Sequence, residues 1–238
     1  MNPEAYPCVG EMPGYGARST FGLITYQISP AQSVEDQILT VADGILKFTE
    51  QNPKARALSI AGHSAGAHLM LRAIAHLTET NKLPKIPIRH AYAISGIYDC
   101  VPITKTDLNN ALNWTENQAK NLSVIEEKSF DNLIFGIKKQ TEISRLLNEN
   151  SSSYMSMSVP CRVFVVVGEY ESNEFKRQGK EVSKMLVEKS NKEINAEYFE
   201  VDGVDHFDII ESLFEPQFRL TRMLVRNCGG RLPSSISN

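Results

Sequence analysis

No apolar run in the sequence approaches the ~20 residues that span a bilayer, and Met1-Asn2-Pro3-Glu4 does not open a signal peptide. Neither a membrane span nor a secretory leader is expected from these residues, and a soluble, cytoplasmic protein is. The sequons at Asn113 (Asn-Trp-Thr) and Asn121 (Asn-Leu-Ser) are then chance matches, because glycosylation needs the secretory route. Cysteine is sparse. The four thiols, Cys8, Cys100, Cys161 and Cys228, stand far apart and without C-x-x-C spacing, which excludes a zinc site or a disulfide framework and leaves reduced thiols. Charge of one sign is also missing: 25 basic residues are scattered among 28 acidic ones, so no basic face is offered to nucleic acid or anionic lipid. A small neutral or acidic molecule remains as the natural partner, and the pattern asks for no cofactor and no metal.

What is present is a single domain's worth of chain. At 238 residues it can bury a substantial core without disulfides or metals. Five short β-type runs recur at 21–28, 55–61, 90–95, 162–167 and 196–201, several of them apolar throughout. Helix-like stretches at 34–50, 65–78, 173–190 and 207–225 lie between them. That alternation predicts an α/β fold, a mostly parallel sheet with helices on both faces. One stretch breaks the rhythm, the polar, helix-leaning 99–159 with Trp114 inside it. Ligands of open parallel sheets bind beyond the carboxyl ends of the strands, so an insertion there is placed to act as a lid. The last residues, 228–238, are rich in Gly, Pro and Ser and are expected to form a flexible tail.

The most telling residues are Gly62-His63-Ser64-Ala65-Gly66, set between the strand-like run Ala57-Leu58-Ser59-Ile60-Ala61 and the helix-like run that begins at Ala67. Small residues on both sides of a serine let the chain turn sharply from strand into helix and leave the hydroxyl exposed in a strained conformation. Ser64 is the candidate nucleophile. An isolated hydroxyl is a poor nucleophile near neutral pH, so a histidine must take its proton and an acid must orient that histidine. The chain order for such an elbow is serine, acid, histidine. Of the five histidines, only His206 lies far downstream, in a turn-like segment after a β-type run. His63, His68, His76 and His90 read as packing or surface residues. For the acid, the run 162–167 ends at Gly168 and is followed by Glu169-Tyr170-Glu171. Glu171, three beyond the glycine, is the better placed to reach the next loop, with Glu169 second; Asp205 or Asp208 reads as a helix cap. The backbone N–H of Ala65 supplies one oxyanion donor. A second would come from an upstream His-Gly-Gly loop, which the sequence lacks; Gly14-Tyr15-Gly16 offers only flexible backbone in its place.

Three segments carry a specific resemblance: 61–69 around the serine, Ser95-Gly96-Ile97-Tyr98-Asp99, and 205–211 around the histidine. A weaker match runs from Ile24-Thr25-Tyr26-Gln27-Ile28-Ser29-Pro30 to Val34-Glu35-Asp36. On these residues the chain resembles the kynurenine formamidase (arylformamidase) family, α/β-hydrolases related to hormone-sensitive-lipase-like esterases. The resemblance covers roughly 21–224. It implies an α/β-hydrolase domain over 21–227 and hydrolysis of N-formyl-L-kynurenine to L-kynurenine and formate in tryptophan degradation. It also implies attack by Ser64, proton transfer by His206, and Glu171 where the family has an aspartate. A carboxylesterase of small acyl esters, or a hydrolase-like chain of little or no activity, are the alternatives, since the elbow does not encode the acyl pocket. Residues 1–20 resemble nothing in the family and stand where its His-Gly-Gly segment and further strands would lie. The resemblance therefore implies an N-terminally incomplete fold with an exposed sheet edge, and with it poor solubility or compensating association such as a homodimer.

Overall fold

Val163-Phe164-Val165-Val166-Val167 is apolar at every position, as a strand covered on both faces must be, and in the computed structural model it is fully buried at the centre of the sheet. The structure describes residues 8–11, 20–149 and 161–229. Four parallel strands make the main sheet: β3 (Leu58–His63), β4 (Ile88–Ile94), β5 (Arg162–Gly168) and β6 (Asn195–Val201), in the order β3-β4-β5-β6. A separate antiparallel pair, β1 (Cys8–Glu11) and β2 (Thr20–Leu23), precedes them. Among the described residues β3 is an edge strand, paired only with β4, and its Ala61 is exposed.

Strand periodicity divides the core in two. Ala91 and Ala93 of β4 and Val163 and Val165 of β5 point to the larger core, with Leu69, Leu71 and Ile74 of α2 (Ala65–Glu79), Ile38 and Val41 of α1 (Val34–Gln51), and Val182 and Leu186 of α6 (Asn173–Lys189). The alternate residues Tyr92, Ile94, Phe164 and Val166 point to the smaller core, closed by Ile209 of α7 (Asp208–Glu211) and Leu220 of α8 (Arg219–Asn227). Helices therefore cover both faces. Asn227 at the end of α8 donates to the Tyr92 hydroxyl at 2.6 Å, tying that helix to the sheet. Two helix starts are capped by serine hydroxyls: Ser33 accepts from the Asp36 amide at α1, and Ser172 from that of Phe175 at α6.

Two expected elements are shorter than their patterns. The run 21–28 is a strand only to Leu23; from there Ile24 and Tyr26 pack against the larger core without joining the ladder, while Phe21, Leu23 and Ile28 stay exposed. The helical pattern 207–225 is broken into α7, a 3-10 turn (Ser212–Phe214) and α8. Pro216 is the reason. It lacks an N–H and forces its predecessor out of the helical region, and Glu215 is extended at φ −79°, ψ 117°.

The long stretch after β4 holds α3 (Asn109–Leu112), α4 (Glu116–Leu122) and α5 (Glu127–Glu149). α5 is the crossover that returns the chain to the sheet: Phe130, Leu133 and Ile137 enter the larger core. Its Gln140 accepts from the Ile88 amide at 2.8 Å and donates to the Pro84 carbonyl, sealing the entry to β4. The earlier part is pinned to α2, where Arg72 donates to the Ser123 carbonyl and His68 to that of Leu122. Residues 1–7, 12–19 and most of the expected tail, from 230 onward, lie outside the described residues. No helix among the described residues is long and apolar enough to cross a membrane.

Candidate active site

β3 ends at His63 and α2 begins at Ala65, which leaves a single residue to reverse the chain direction. Ser64 does so at φ 54°, ψ −120°, a conformation non-glycine residues rarely adopt. The two glycines make room for it: a Cβ on Gly62 would stand 2.3 Å from the Gly66 carbonyl oxygen. The Ser64 amide donates to Ile94 O at 2.9 Å, so the elbow is anchored to the neighbouring strand end, while its carbonyl starts the α2 ladder by accepting from Ala67 and His68. The Ala65 amide, in the first turn, has no partner among the described residues and is free to donate.

His206 lies on the loop between β6 and α7, and its Nε2 is 3.1 Å from Ser64 Oγ. Its Nδ1 faces both Glu171 oxygens, at 3.0 and 3.1 Å, on the loop between β5 and α6. The Glu171 side chain is 2% exposed and that of His206 23%, so the acid is shut from water while the imidazole keeps partial access to it. Ser64, His206 and Glu171 thus form one hydrogen-bonded row across three loops at the carboxyl end of the sheet. A carboxylate on Nδ1 fixes the proton there and leaves Nε2 as an acceptor for the serine hydroxyl proton.

The remaining candidates fall elsewhere. Glu169 Oε2 accepts from the Gly203 amide at 2.7 Å, bracing the turn ahead of His206. Asp205 Oδ1 accepts from the amides of Phe207 and Asp208, which caps α7 and holds its carboxyl below the usual range. His68 is buried on the Leu122 carbonyl, and His90 on Ser59 Oγ at 3.0 Å, both far from the elbow in role; burial pushes each down to about 4. Gly14-Tyr15-Gly16 lies outside the described residues. Three side chains that sequence reasoning did not single out surround the imidazole. Phe175 at 4.9 Å and Phe207 at 5.3 Å, centroid to centroid, wall it, and His63 stands 4.7 Å away. For the two phenylalanines the sequence carries no signal beyond their nearness to the acid and the base. Tyr26 adds a half-buried hydroxyl beside the start of α2, 3.6 Å from where a Gly66 Cβ would lie.

No family model matches the chain. It is 30% identical over 207 residues to a kynurenine formamidase of Danio rerio, covering 87% of this chain and 61% of that protein. A kynurenine formamidase of Salmo salar is 28% identical over the same shares, and one of Drosophila melanogaster 24% identical over 79% of this chain and 56% of that protein. The chain thus spans about three fifths of the length of these curated relatives. Among solved structures, a Rhizomucor miehei esterase superposes with a TM-score of 0.57 at 17% identity, over 88% of this chain and 64% of that one. A bacterial heroin esterase gives 0.54 at 11% identity, over 88% and 63%. With a parallel sheet, helices on both faces and a strand-serine-helix elbow, the chain has the α/β-hydrolase fold.

Proposed function

We propose that this chain is a serine hydrolase of the kynurenine formamidase type, acting on N-formyl-L-kynurenine in cytosolic tryptophan degradation. The observation that supports it above the others is the row Glu171, His206, Ser64, mounted on a strained elbow. The relatives that bear the kynurenine formamidase name supply the substrate class. In this reading Ser64 Oγ attacks the formyl carbon while His206 Nε2 takes its proton, and negative charge gathers on the former carbonyl oxygen beside the Ala65 N–H. The imidazolium, held by Glu171, returns the proton to the aryl nitrogen as the C–N bond breaks, releasing L-kynurenine and leaving a formyl ester on Ser64. Water, deprotonated by the same imidazole, attacks that ester and frees formate. Neither half needs an oxidant or a metal to balance.

The test is turnover of N-formyl-L-kynurenine by the purified chain, followed as release of L-kynurenine, beside hydrolysis of a p-nitrophenyl ester. Faster turnover of the formamide, lost in Ser64→Ala, is the expected result. Preference for the ester would assign the site to a carboxylesterase, and failure of a fluorophosphonate to label Ser64 in folded protein would remove the hydrolase reading.

A further inference from the structure

Ser64 and His206 sit on loops that follow β3 and β6, the two outer strands of the sheet, and are 142 residues apart in sequence. Two strands separate them, so the sheet alone leaves the gap between imidazole and hydroxyl to the loops. Beside the Ser64–His206 contact itself, a further hydrogen bond joins the two loops. His63, which immediately precedes the nucleophile, places Nε2 2.8 Å from the backbone carbonyl oxygen of His206. A carbonyl only accepts, so His63 Nε2 carries the proton and donates it. We propose that His63 is a positioning residue, its Nε2–H gripping the His206 carbonyl so that the elbow itself sets the distance from the imidazole to the Ser64 hydroxyl. Its role in turnover rests on the serine-hydrolase reading above; the grip itself does not.

The surroundings of His63 suit a neutral donor. Burial, then the nearby His206, lower its affinity for a proton, against the opposing pull of the carbonyl and of Glu171. Those are the titratable groups that face it. Asp205 is turned to the amides of Phe207 and Asp208, and Glu169 to that of Gly203. The rings of His63 and His206 lie 4.7 Å apart, so a charged His63 would stand beside the imidazolium that must form on His206 at each proton transfer. A neutral one grips the base without opposing it.

Two readouts test the proposal on the full chain. Imidazole 15N NMR near neutral pH should show His63 as the Nε2–H tautomer; the Nδ1–H tautomer, or an even mixture, overturns the grip. The rate of fluorophosphonate labelling at Ser64 supplies the second. His63→Phe keeps a ring but loses the donor, and should label about 10–100-fold more slowly, the scale on which small displacements of reacting groups are felt. His63→Gln, whose amide can reach the same carbonyl without titrating, should recover most of the wild-type rate. Equal rates in the three proteins, slowing in both variants alike, or slowing in His63→Gln alone, as for a ring that merely fills space, would overturn the positioning role. Should His63→Phe fail to fold, the Gln variant and the tautomer still decide. A wild-type chain that does not label at all counts against the hydrolase reading, and the tautomer then decides the grip alone.

Discussion

Glu169 and Glu171, two carboxylates that flank Tyr170, face different tasks. Both follow Gly168 on one loop, and residue type cannot separate them. Spacing does: Glu171 reaches His206 Nδ1 with both oxygens, while Glu169 turns to the Gly203 amide at 2.7 Å. Removing the charge from Glu171 should therefore upset the tautomer of the base. We expect Glu171→Gln to lower kcat/KM by roughly 10³–10⁴-fold, as an amide in place of the triad acid does where the fold is kept. Glu171→Asp restores charge without reach and should fall between. Glu169→Gln weakens one charge-assisted hydrogen bond and should lower kcat/KM by no more than about tenfold. Comparable losses in the two Gln variants would sink the assignment of distinct roles.

Elements place these residues, and their legibility in the sequence was uneven for physical reasons. β5 and α2 could be read because continuous apolar runs and helical spacing persist through them. The pattern over 207–225 reads as one helix and is not one, because hydrophobic spacing continues past Pro216 while the backbone cannot. The run 21–28 alternates well enough for a strand, yet a ladder needs a partner that local pattern does not reveal. The row of Ser64, Glu171 and His206 was legible from chain order and loop position. His63 was passed over because a histidine inside the elbow has no pattern of its own; only the fold brings the His206 carbonyl to it. The same loops offer a test at two glycines. A Cβ at Gly168 would stand 2.5 Å from Val204 O and 2.9 Å from Asp205 O, pressing on the loop that carries His206. Gly203 has φ 74° but open space within 4 Å. Gly168→Ala should cost about 1–3 kcal/mol of stability through overpacking and also slow labelling of Ser64. Gly203→Ala should cost about 1 kcal/mol in backbone strain with labelling little changed. Urea midpoints and labelling rates measured together check the contrast, and the opposite ranking would refute it.

Across the whole molecule, stability should depend on pH through histidines that the fold keeps uncharged. His68 lies on the larger-core side of the sheet, 4% exposed, and His90 on the other side near Tyr92 and Phe164, 5% exposed. Burial, the first cause for both, lowers each from 6.5 to about 4. Unfolded, they bind protons as pH falls through about 6.5; folded, they do not until about 4. The unfolded chain thus holds more protons in that window. Folding free energy must then decline as pH drops through it, with no contribution from these groups to the slope well above or well below. For His68 the full loss amounts to roughly 3 kcal/mol, a large share of what a domain this size possesses. The depressed carboxyls of Glu174, Glu200 and Asp205 pull the same way, but only as pH falls below the ordinary carboxylate range, so the interval from neutral pH to about 5 reads the histidines. Urea midpoints should fall steadily across it. His68→Gln can still donate to the Leu122 carbonyl yet cannot titrate, and should flatten the slope while leaving much of the neutral-pH stability in place. A wild-type midpoint that stays level between neutral pH and about 5 would mean that these imidazoles accept protons within the folded protein, and that the packing of α2 against residues 98–124 is looser than the His68 and Arg72 contacts require.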